Sequence, residues 1–139
     1  MNLEALQRNG ITHVINWSST ARCNNFSEIN YLCIPNISDY KAMNKNLDKL
    51  DMAVEFIESA RKAGGRAMSH CWYGRNRSVT LLVAYLMKYE GMESEDALHL
   101  VQKTRPIADS YRDSLQYYYQ EYVRPLKKKE AKAKKHDNP

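Results

Sequence analysis

The stretch that decides the fold is Gly65-Arg66-Ala67-Met68-Ser69-His70-Cys71-Trp72-Tyr73-Gly74-Arg75-Asn76-Arg77-Ser78-Val79-Thr80. Two glycines end a helical pattern in front of it, and a short run then leads into Cys71. After five further residues come an arginine, a hydroxyl residue and a strongly apolar segment. This order predicts a strand, a loop and the N-terminus of a helix. The backbone N–H groups of such a loop can form a concave anion site, to which the helix start adds its partial positive charge.

Cys71 lies at the floor of the predicted anion site. Because N–H donors, a helix terminus and Arg77 all favour the charged form of a thiol, we expect a thiolate there at neutral pH. A thiolate is a competent nucleophile. The planar fork of Arg77 can bind two oxygens of an oxyanion, and Ser78 can donate to the sulfur. His70 is interpreted as a structural residue that braces the loop.

The chain resembles the signature of cysteine-based protein phosphatases at His70-Cys71, which is followed after five residues by Arg77 and Ser78. The surrounding chain is similar to the small dual-specificity branch from about Leu6 to Tyr122. The segment 10–16 also resembles that family's entry into an early core strand. The resemblance implies hydrolysis of phosphotyrosine and phosphoserine/phosphothreonine monoesters on proteins through a phosphocysteine intermediate. It also implies no metal or other cofactor, phosphorylated proteins as partners, and an aspartate on a separate loop as general acid.

The resemblance assigns four catalytic positions. Cys71 takes the position of the nucleophile, Arg77 that of the phosphate-binding arginine, and Ser78 that of the hydroxyl that follows it. Asp39 takes the position of the acid, 32 residues before Cys71, in a loop that follows a predicted strand. A turn-capping role for Asp39 is the structural alternative.

The residues between nucleophile and arginine are expected to line the substrate pocket together with Arg77. Two of them depart from the family pattern, since Tyr73 replaces a small alanine and Asn76 replaces a serine. The predicted pocket residues are Trp72, Tyr73, Gly74, Arg75, Asn76 and Arg77.

Two other functions stay open. The combination of Gly74, Asn76 and Arg77 is also similar to the loop of RNA 5′-triphosphatases of the mRNA-capping type. It leaves open an RNA 5′-triphosphatase or another non-protein phosphatase, although Asp39 argues against the triphosphatase branch. A non-catalytic phospho-binding module would result if Tyr73 and Asn76 spoil the pocket. Of the three, a dual-specificity phosphatase is favoured because the nucleophile, the arginine and the serine are all present.

Composition indicates one globular domain. The chain has 139 residues, of which 43% are hydrophobic, enough for one core but not for two. It has no apolar run near the ~20 residues of a membrane span and no basic-then-apolar N-terminus. Its three cysteines are too few for a disulfide framework. We therefore expect a cytoplasmic or nuclear protein in which Cys23 and Cys33 are inert thiols; a reversible disulfide with Cys71 is left open.

The positive charge is concentrated in the C-terminal segment. Residues 124–139 contain seven basic and two acidic residues, which gives +5, the net charge of the whole chain. The remaining 14 basic and 14 acidic residues balance to zero. We therefore divide the chain into a phosphatase-like domain, 1–123, and a basic tail, 124–139, that is a frayed helix end or disordered. Weak contact of the tail with acidic partners, nucleic acid or acidic lipid is the functional interpretation.

Periodicity predicts an α/β fold with a mostly parallel central sheet flanked by helices. The phosphate loop lies between a strand and a buried helix. The resemblance implies one or two further strands before residue 1, so the chain is either shortened or an unusually small member with one exposed sheet edge. The predicted strands are 12–17, 31–34 and 66–70, and the predicted helices are 3–8, 44–63, 78–89, 95–104 and 110–123.

Overall fold

A computed structural model describes residues 2–17, 26–34, 37, 40–71, 75–106 and 109–137. Within these ranges the side chains of residues 40, 70, 71, 75 and 135–137 are not described. The elements in chain order are α1 (Leu3–Arg8), β1 (Ile11–Trp17), β2 (Asn30–Cys33), α2 (Tyr40–Asn44), α3 (Leu47–Lys62), β3 (Arg66–Cys71), α4 (Arg75–Tyr89), α5 (Ser94–Gln102), α6 (Arg112–Tyr118), a π-helical turn (Tyr119–Val123) and α7 (Arg124–Asp137).

The three strands form a parallel sheet in the order β2-β1-β3. The prediction of an α/β fold with a mostly parallel sheet is therefore confirmed. The central strand β1 is the most deeply buried, with Val14, Ile15 and Trp17 fully inaccessible to solvent. Because the three strands run in the same direction, their carboxyl ends meet at one edge of the sheet, and Cys71 ends β3 there.

Side chains from the two faces of the sheet enter two hydrophobic clusters. One face contributes Ile15 and Trp17 to the main core, together with residues of α2 to α6. The other face contributes Val14 to a small cluster with Leu6 of α1 and Ile29. The bulk of the packing that holds the sheet therefore lies on the face covered by the long helices.

The register between β1 and β3 contains a bulge at Thr12. Ile11 pairs with Arg66 and His13 with Ala67, so that Thr12 has no strand partner of its own. Its hydroxyl instead accepts a hydrogen bond from the Arg66 N–H at 3.1 Å and donates to the Arg66 carbonyl at 3.3 Å. A Cβ atom placed on Gly65 would lie 2.0 Å from the Thr12 Oγ1. Glycine is therefore required at position 65 by the close approach of the two segments.

The helix predicted at 44–63 is wrong in its bounds, because the structure has two helices, α2 and α3, with a break at Lys45 and Asn46. The Asn46 side chain donates to the Ala42 carbonyl at 2.7 Å, and its N–H bonds to the Met43 carbonyl at 3.0 Å. These local bonds close α2 before α3 begins.

Two other helix starts differ from the predicted ones. Helix α4 begins at Arg75, three residues before the predicted start at Ser78. Ser94 is the first residue of α5, whereas the cap position is taken by Glu93.

The C-terminal helix is longer than predicted and contains a π-helical turn. After α6 the chain widens into the turn Tyr119–Val123 and continues as α7 to Asp137. The basic tail is therefore helical through Asp137, and its described side chains are exposed from Lys127 onward. No helix in the described ranges is long and apolar enough to cross a membrane.

Cys33 is half-buried and takes part in a disulfide bond, so its prediction as an inert free thiol is wrong. Cys71 does not fit as its partner. Cys33 and His70 both pair with Asn16 but from opposite sides of β1, which separates β2 from β3 by about 9.6 Å. A disulfide needs Cα atoms closer than about 7 Å. Cys23 lies outside the described residues.

Candidate active site

The predicted nucleophile, Cys71, and the predicted phosphate-binding residue, Arg77, lie at the end of a strand and near the start of a helix. Cys71 is the last residue of β3, and Arg77 lies in the first turn of α4. Val79, Leu81 and Val83 of α4 are buried in the main core. Because these residues are packed, the N-terminus of α4 is fixed relative to the strand that carries Cys71.

The helix start is also held by a bond to the chain that precedes α6. Thr80 is fully buried in α4, and its hydroxyl accepts a hydrogen bond from the Tyr111 N–H at 2.9 Å. This bond fixes the second turn of α4 to a segment 31 residues further along the chain.

Arg77 is half-buried and anchored by two backbone carbonyls. Its Nη1 donates to the Ile37 carbonyl at 2.7 Å and to the Trp17 carbonyl at 3.3 Å. A guanidinium has five N–H donors in a fixed plane. The two anchoring bonds to described residues use Nη1. The Nε–Nη2 edge has two parallel donors of the kind that suit an oxyanion.

Ser78 belongs to a chain of polar groups behind the loop. Its hydroxyl is 3.0 Å from that of Ser69 on β3. The indole Nε1 of Trp17 donates to the same Ser69 hydroxyl, also at 3.0 Å. Ser69 accepts from Trp17, and either of the two serine hydroxyls can be the donor between Ser69 and Ser78.

Trp17 is a site residue that the sequence analysis missed. Its side chain is fully buried, its indole holds Ser69, its carbonyl holds Arg77, and its backbone pairs with Cys71. Trp17 therefore connects to the backbone of Cys71, to Arg77 and, through Ser69, to Ser78. The available signal was the position of Trp17 at the end of a predicted core strand, where a parallel sheet places its functional residues.

A polar network fixes the far end of α4 on α3. The Lys88 ammonium lies 2.8 Å from both an Asp51 and a Glu55 carboxylate oxygen. Tyr118 donates to Asp51 at 2.8 Å, and Tyr89 donates to Glu55 at 2.6 Å. Burial alone would lower the pKa of Lys88, but the bonds to Asp51 and Glu55 outweigh it and raise that pKa.

Glu58 forms a second buried contact between α3 and α4. It is 2% exposed. It accepts from Arg61 at 2.5 Å and from the Tyr85 hydroxyl at 3.0 Å. The Arg61 bond lowers the pKa of Glu58 despite its burial. Both carboxylate contacts stabilise the scaffold and lie outside the predicted site.

Several predicted site residues lie outside what the structure describes. These are Asp39, Trp72, Tyr73 and Gly74, together with the side chains of His70, Cys71 and Arg75. Asn76 is described, and its side chain is exposed in the first turn of α4. The roles assigned to all these residues stay predictions. In the described part of the chain, no three histidine, cysteine, aspartate or glutamate side chains come together as a metal site would require.

Comparison with known proteins places this geometry in a family. The family model described as dual specificity phosphatase, catalytic domain, matches residues 1–121. Dual specificity protein phosphatase 1 of Arabidopsis thaliana is 35% identical over 107 residues, which cover 77% of this chain and 53% of that protein. Dual specificity protein phosphatase 22 of Mus musculus is 37% identical over 106 residues, which cover 76% of this chain and 56% of that protein. The chain thus matches about half the length of these two relatives.

Comparison with solved structures finds phosphatase folds similar to that of this chain. The crystal structure of DUSP15 matches with a TM-score of 0.79 at 29% identity, covering 92% of this chain and 82% of that one. A human tyrosine phosphatase-like serine/threonine/tyrosine-interacting protein matches with a TM-score of 0.76, also at 29% identity, covering 87% and 84%. The strand that ends at Cys71, the start of α4 and the anchored Arg77 agree with the match to the family model. The chain belongs to the dual specificity phosphatase family.

Proposed function

We propose that this chain hydrolyses phosphotyrosine and phosphoserine/phosphothreonine monoesters on proteins through a phosphocysteine intermediate. The observation that carries the proposal is the anchoring of Arg77 by the carbonyls of Trp17 and Ile37, with Cys71 paired to Trp17 on the neighbouring strand. This arrangement puts a two-donor edge of a guanidinium beside the end of the nucleophile strand. It fits a tetrahedral oxyanion presented to Cys71.

In the first step the Cys71 thiolate attacks phosphorus in line with the leaving oxygen. The S–P bond forms as the P–O bond to the substrate side chain breaks. Arg77 and the N–H groups at the start of α4 hold the equatorial oxygens, whose charge they stabilise. Asp39 gives its proton to the departing alkoxide or phenolate.

In the second step a water molecule attacks the phosphocysteine. Ionised Asp39 accepts the proton of that water, phosphate forms, and the electron pair of the S–P bond returns to sulfur. Ser78 stabilises the sulfur as it leaves by donating its hydroxyl proton as a hydrogen bond. The Trp17–Ser69–Ser78 chain supports this role, because it holds the Ser78 hydroxyl against β3, the strand that ends at Cys71.

Asp39 is supported as the acid by its place in the sequence, two residues after Ile37, which binds Arg77. The Ile37 carbonyl accepts a 2.7 Å hydrogen bond from Arg77. Covalent geometry keeps two residues further along the chain within about 7 Å of Ile37. The loop that carries Asp39 is thus tied to the phosphate-binding arginine at its root.

The experiment is a single-turnover assay with chelator present. Phosphotyrosine peptide, phosphothreonine peptide and triphosphate-ended RNA are compared with the unaltered chain and with Cys71→Ser, Asp39→Asn and Asp48→Asn. We expect release from both peptides, abolished by Cys71→Ser and slowed about 100 to 10,000-fold by Asp39→Asn. Asp48 is an exposed carboxylate at the start of α3 and serves as the matched control, with an unchanged rate.

Two outcomes would overturn the proposal. If phosphate is released from the RNA but from neither peptide, at a rate that Asp39→Asn does not change, the chain belongs to the triphosphatase branch. Phosphopeptide binding without any release would make it a non-catalytic binding module.

A further inference from the structure

We propose that Asn44 and Ser114 are positioning residues for the general acid. Their hydrogen bond fixes α2 on α6, and so fixes the chain at the end of the loop that carries Asp39. The inference rests on the proposed function, in which Asp39 protonates the leaving oxygen. It adds two residues that lie outside the signature of the phosphate loop.

The bond between the two side chains lies in a buried contact. The Ser114 hydroxyl, on α6, donates to Oδ1 of Asn44, the last residue of α2. Ser114 is fully buried and Asn44 is half-buried. A buried hydroxyl without a partner loses its hydration and gains nothing in return, so the Ser114 hydroxyl depends on Asn44. Helix α2 therefore has one favoured position on α6, whereas a purely apolar contact would tolerate small shifts.

Helix α2 depends on such contacts for its position. It has five residues, too few for a helix that is stable alone. Met43 adds an apolar anchor in the main core. The first residue of α2, Tyr40, directly follows Asp39, and consecutive Cα atoms are only about 3.8 Å apart. The position of Asn44 on α6 therefore determines where the chain leaves Asp39.

The same loop is held on its other side by Arg77. Ile37, two residues before Asp39, is buried, and its carbonyl accepts the 2.7 Å bond from Arg77 of α4. Helix α6 is also fixed to α4, because the Tyr111 N–H in front of α6 donates to the Thr80 hydroxyl at 2.9 Å. Both sides of the acid loop are thus fixed relative to the helix that carries Arg77.

The expected effect of the bond is on proton transfer. A general acid must lie within about 2.6 to 3.2 Å of the oxygen that it protonates, so a small shift of α2 weakens protonation without weakening phosphate binding. Phenyl phosphate needs that proton, because its leaving group resembles the tyrosine phenolate, with a pKa of about 10. 4-Nitrophenyl phosphate needs it much less, because the nitro group stabilises the departing phenolate.

The experiment measures release of the two phenols in a single turnover, at a temperature where circular dichroism shows each variant to be folded. Ser114→Ala should slow release from phenyl phosphate about five- to tenfold, the effect of one neutral hydrogen bond, and change release from 4-nitrophenyl phosphate less than about twofold. Asn44→Ala should have the same effect, and the double variant should be no worse than either single one. Inhibition by inorganic phosphate should stay unchanged in all three variants.

Two further variants separate positioning from stability. With Asp39→Asn in place, Ser114→Ala should cause no further loss, since no acid remains to be positioned. Tyr85→Phe is the matched control, because it also removes a buried hydrogen bond, that to Glu58, but one that joins α4 to α3. It should leave the ratio of the two release rates unchanged.

Three results would overturn the inference: equal losses with both esters in Ser114→Ala, the same loss when Asp39→Asn is already present, or an altered ratio of the two rates in Tyr85→Phe. Failure of the proposed function gives a different result. Release by the unaltered chain would then be absent or would survive Cys71→Ser.

Discussion

At the scale of single residues, Trp17 is the centre of the site although it has no place in the family motif. Its indole N–H donates to the Ser69 hydroxyl, which lies 3.0 Å from that of Ser78. Trp17→Phe keeps an aromatic ring and the backbone carbonyl that holds Arg77, but removes that N–H. We therefore expect breakdown of the phosphocysteine intermediate to slow about five- to tenfold, with KM nearly unchanged, since one neutral hydrogen bond is lost.

Burst kinetics with a phosphotyrosine peptide measure this step, at a temperature where circular dichroism shows the variant to be folded. Ser69→Ala should produce the same defect, and the double variant should be no worse than either single one. If the two defects multiply, Trp17 and Ser69 act independently and the hydroxyl chain is not a unit.

Sequence reasoning predicted Cys71 and Arg77 at strand end and helix start because the signal is local. Glycines follow α3, an apolar run predicts the helix α4 from Ser78 onward, and the motif lies between these two signals. Trp17 and Ser69 were not predicted because their roles depend on strand pairing between segments 52 residues apart. Asn46 shows the same limit at short range, since its side-chain bond to Ala42 ends a helix that hydrophobic spacing would continue.

At the scale of elements, the Lys88 network joins α3 to the helix that carries Arg77. Lys88 is 10% exposed and contacts two carboxylates. We expect Lys88→Met to lower the free energy of unfolding by about 1 to 3 kcal/mol, because charged hydrogen bonds are lost between partly buried groups. Since the pKa of Lys88 is raised, its contribution is fully present below the ordinary lysine pKa and is lost only as the pH rises through the raised value.

Urea unfolding at pH 7 measures the difference. Lys62→Met is the matched control, since Lys62 is an exposed lysine at the end of α3, and its effect should stay within about 0.5 kcal/mol. Equal losses in both variants would show that the network adds no specific stability.

At the scale of the whole molecule, the charge is carried by one end of the chain. Truncation after Lys127 removes five lysines and two acidic residues, which lowers the formal charge from +5 to +2. It keeps the contact of Lys127 with the Tyr119 ring, 5.5 Å from its centroid. We expect the melting temperature and the turnover of a neutral phosphopeptide to change little, because residues 128–134 are exposed.

The truncated chain should bind a polyanion such as heparin much more weakly than the full chain does. The affinity of the full chain for heparin should fall as the salt concentration rises. Retention on a heparin column at graded salt measures both. Unchanged retention after truncation would show that the helical tail is not a polyanion-binding element.

The bulge at Thr12 also has a consequence for the strand that ends at Cys71. A strand that slips by one residue turns every side chain to the opposite face. Two contacts prevent that slip at the start of β3. The Thr12 hydroxyl bonds to both the N–H and the carbonyl of Arg66, and Gly65 has no side chain that would clash with Thr12. The alignment of the strand that ends at Cys71 is thus decided five and six residues before Cys71, where Thr12 binds Arg66 and Gly65 passes close to Thr12.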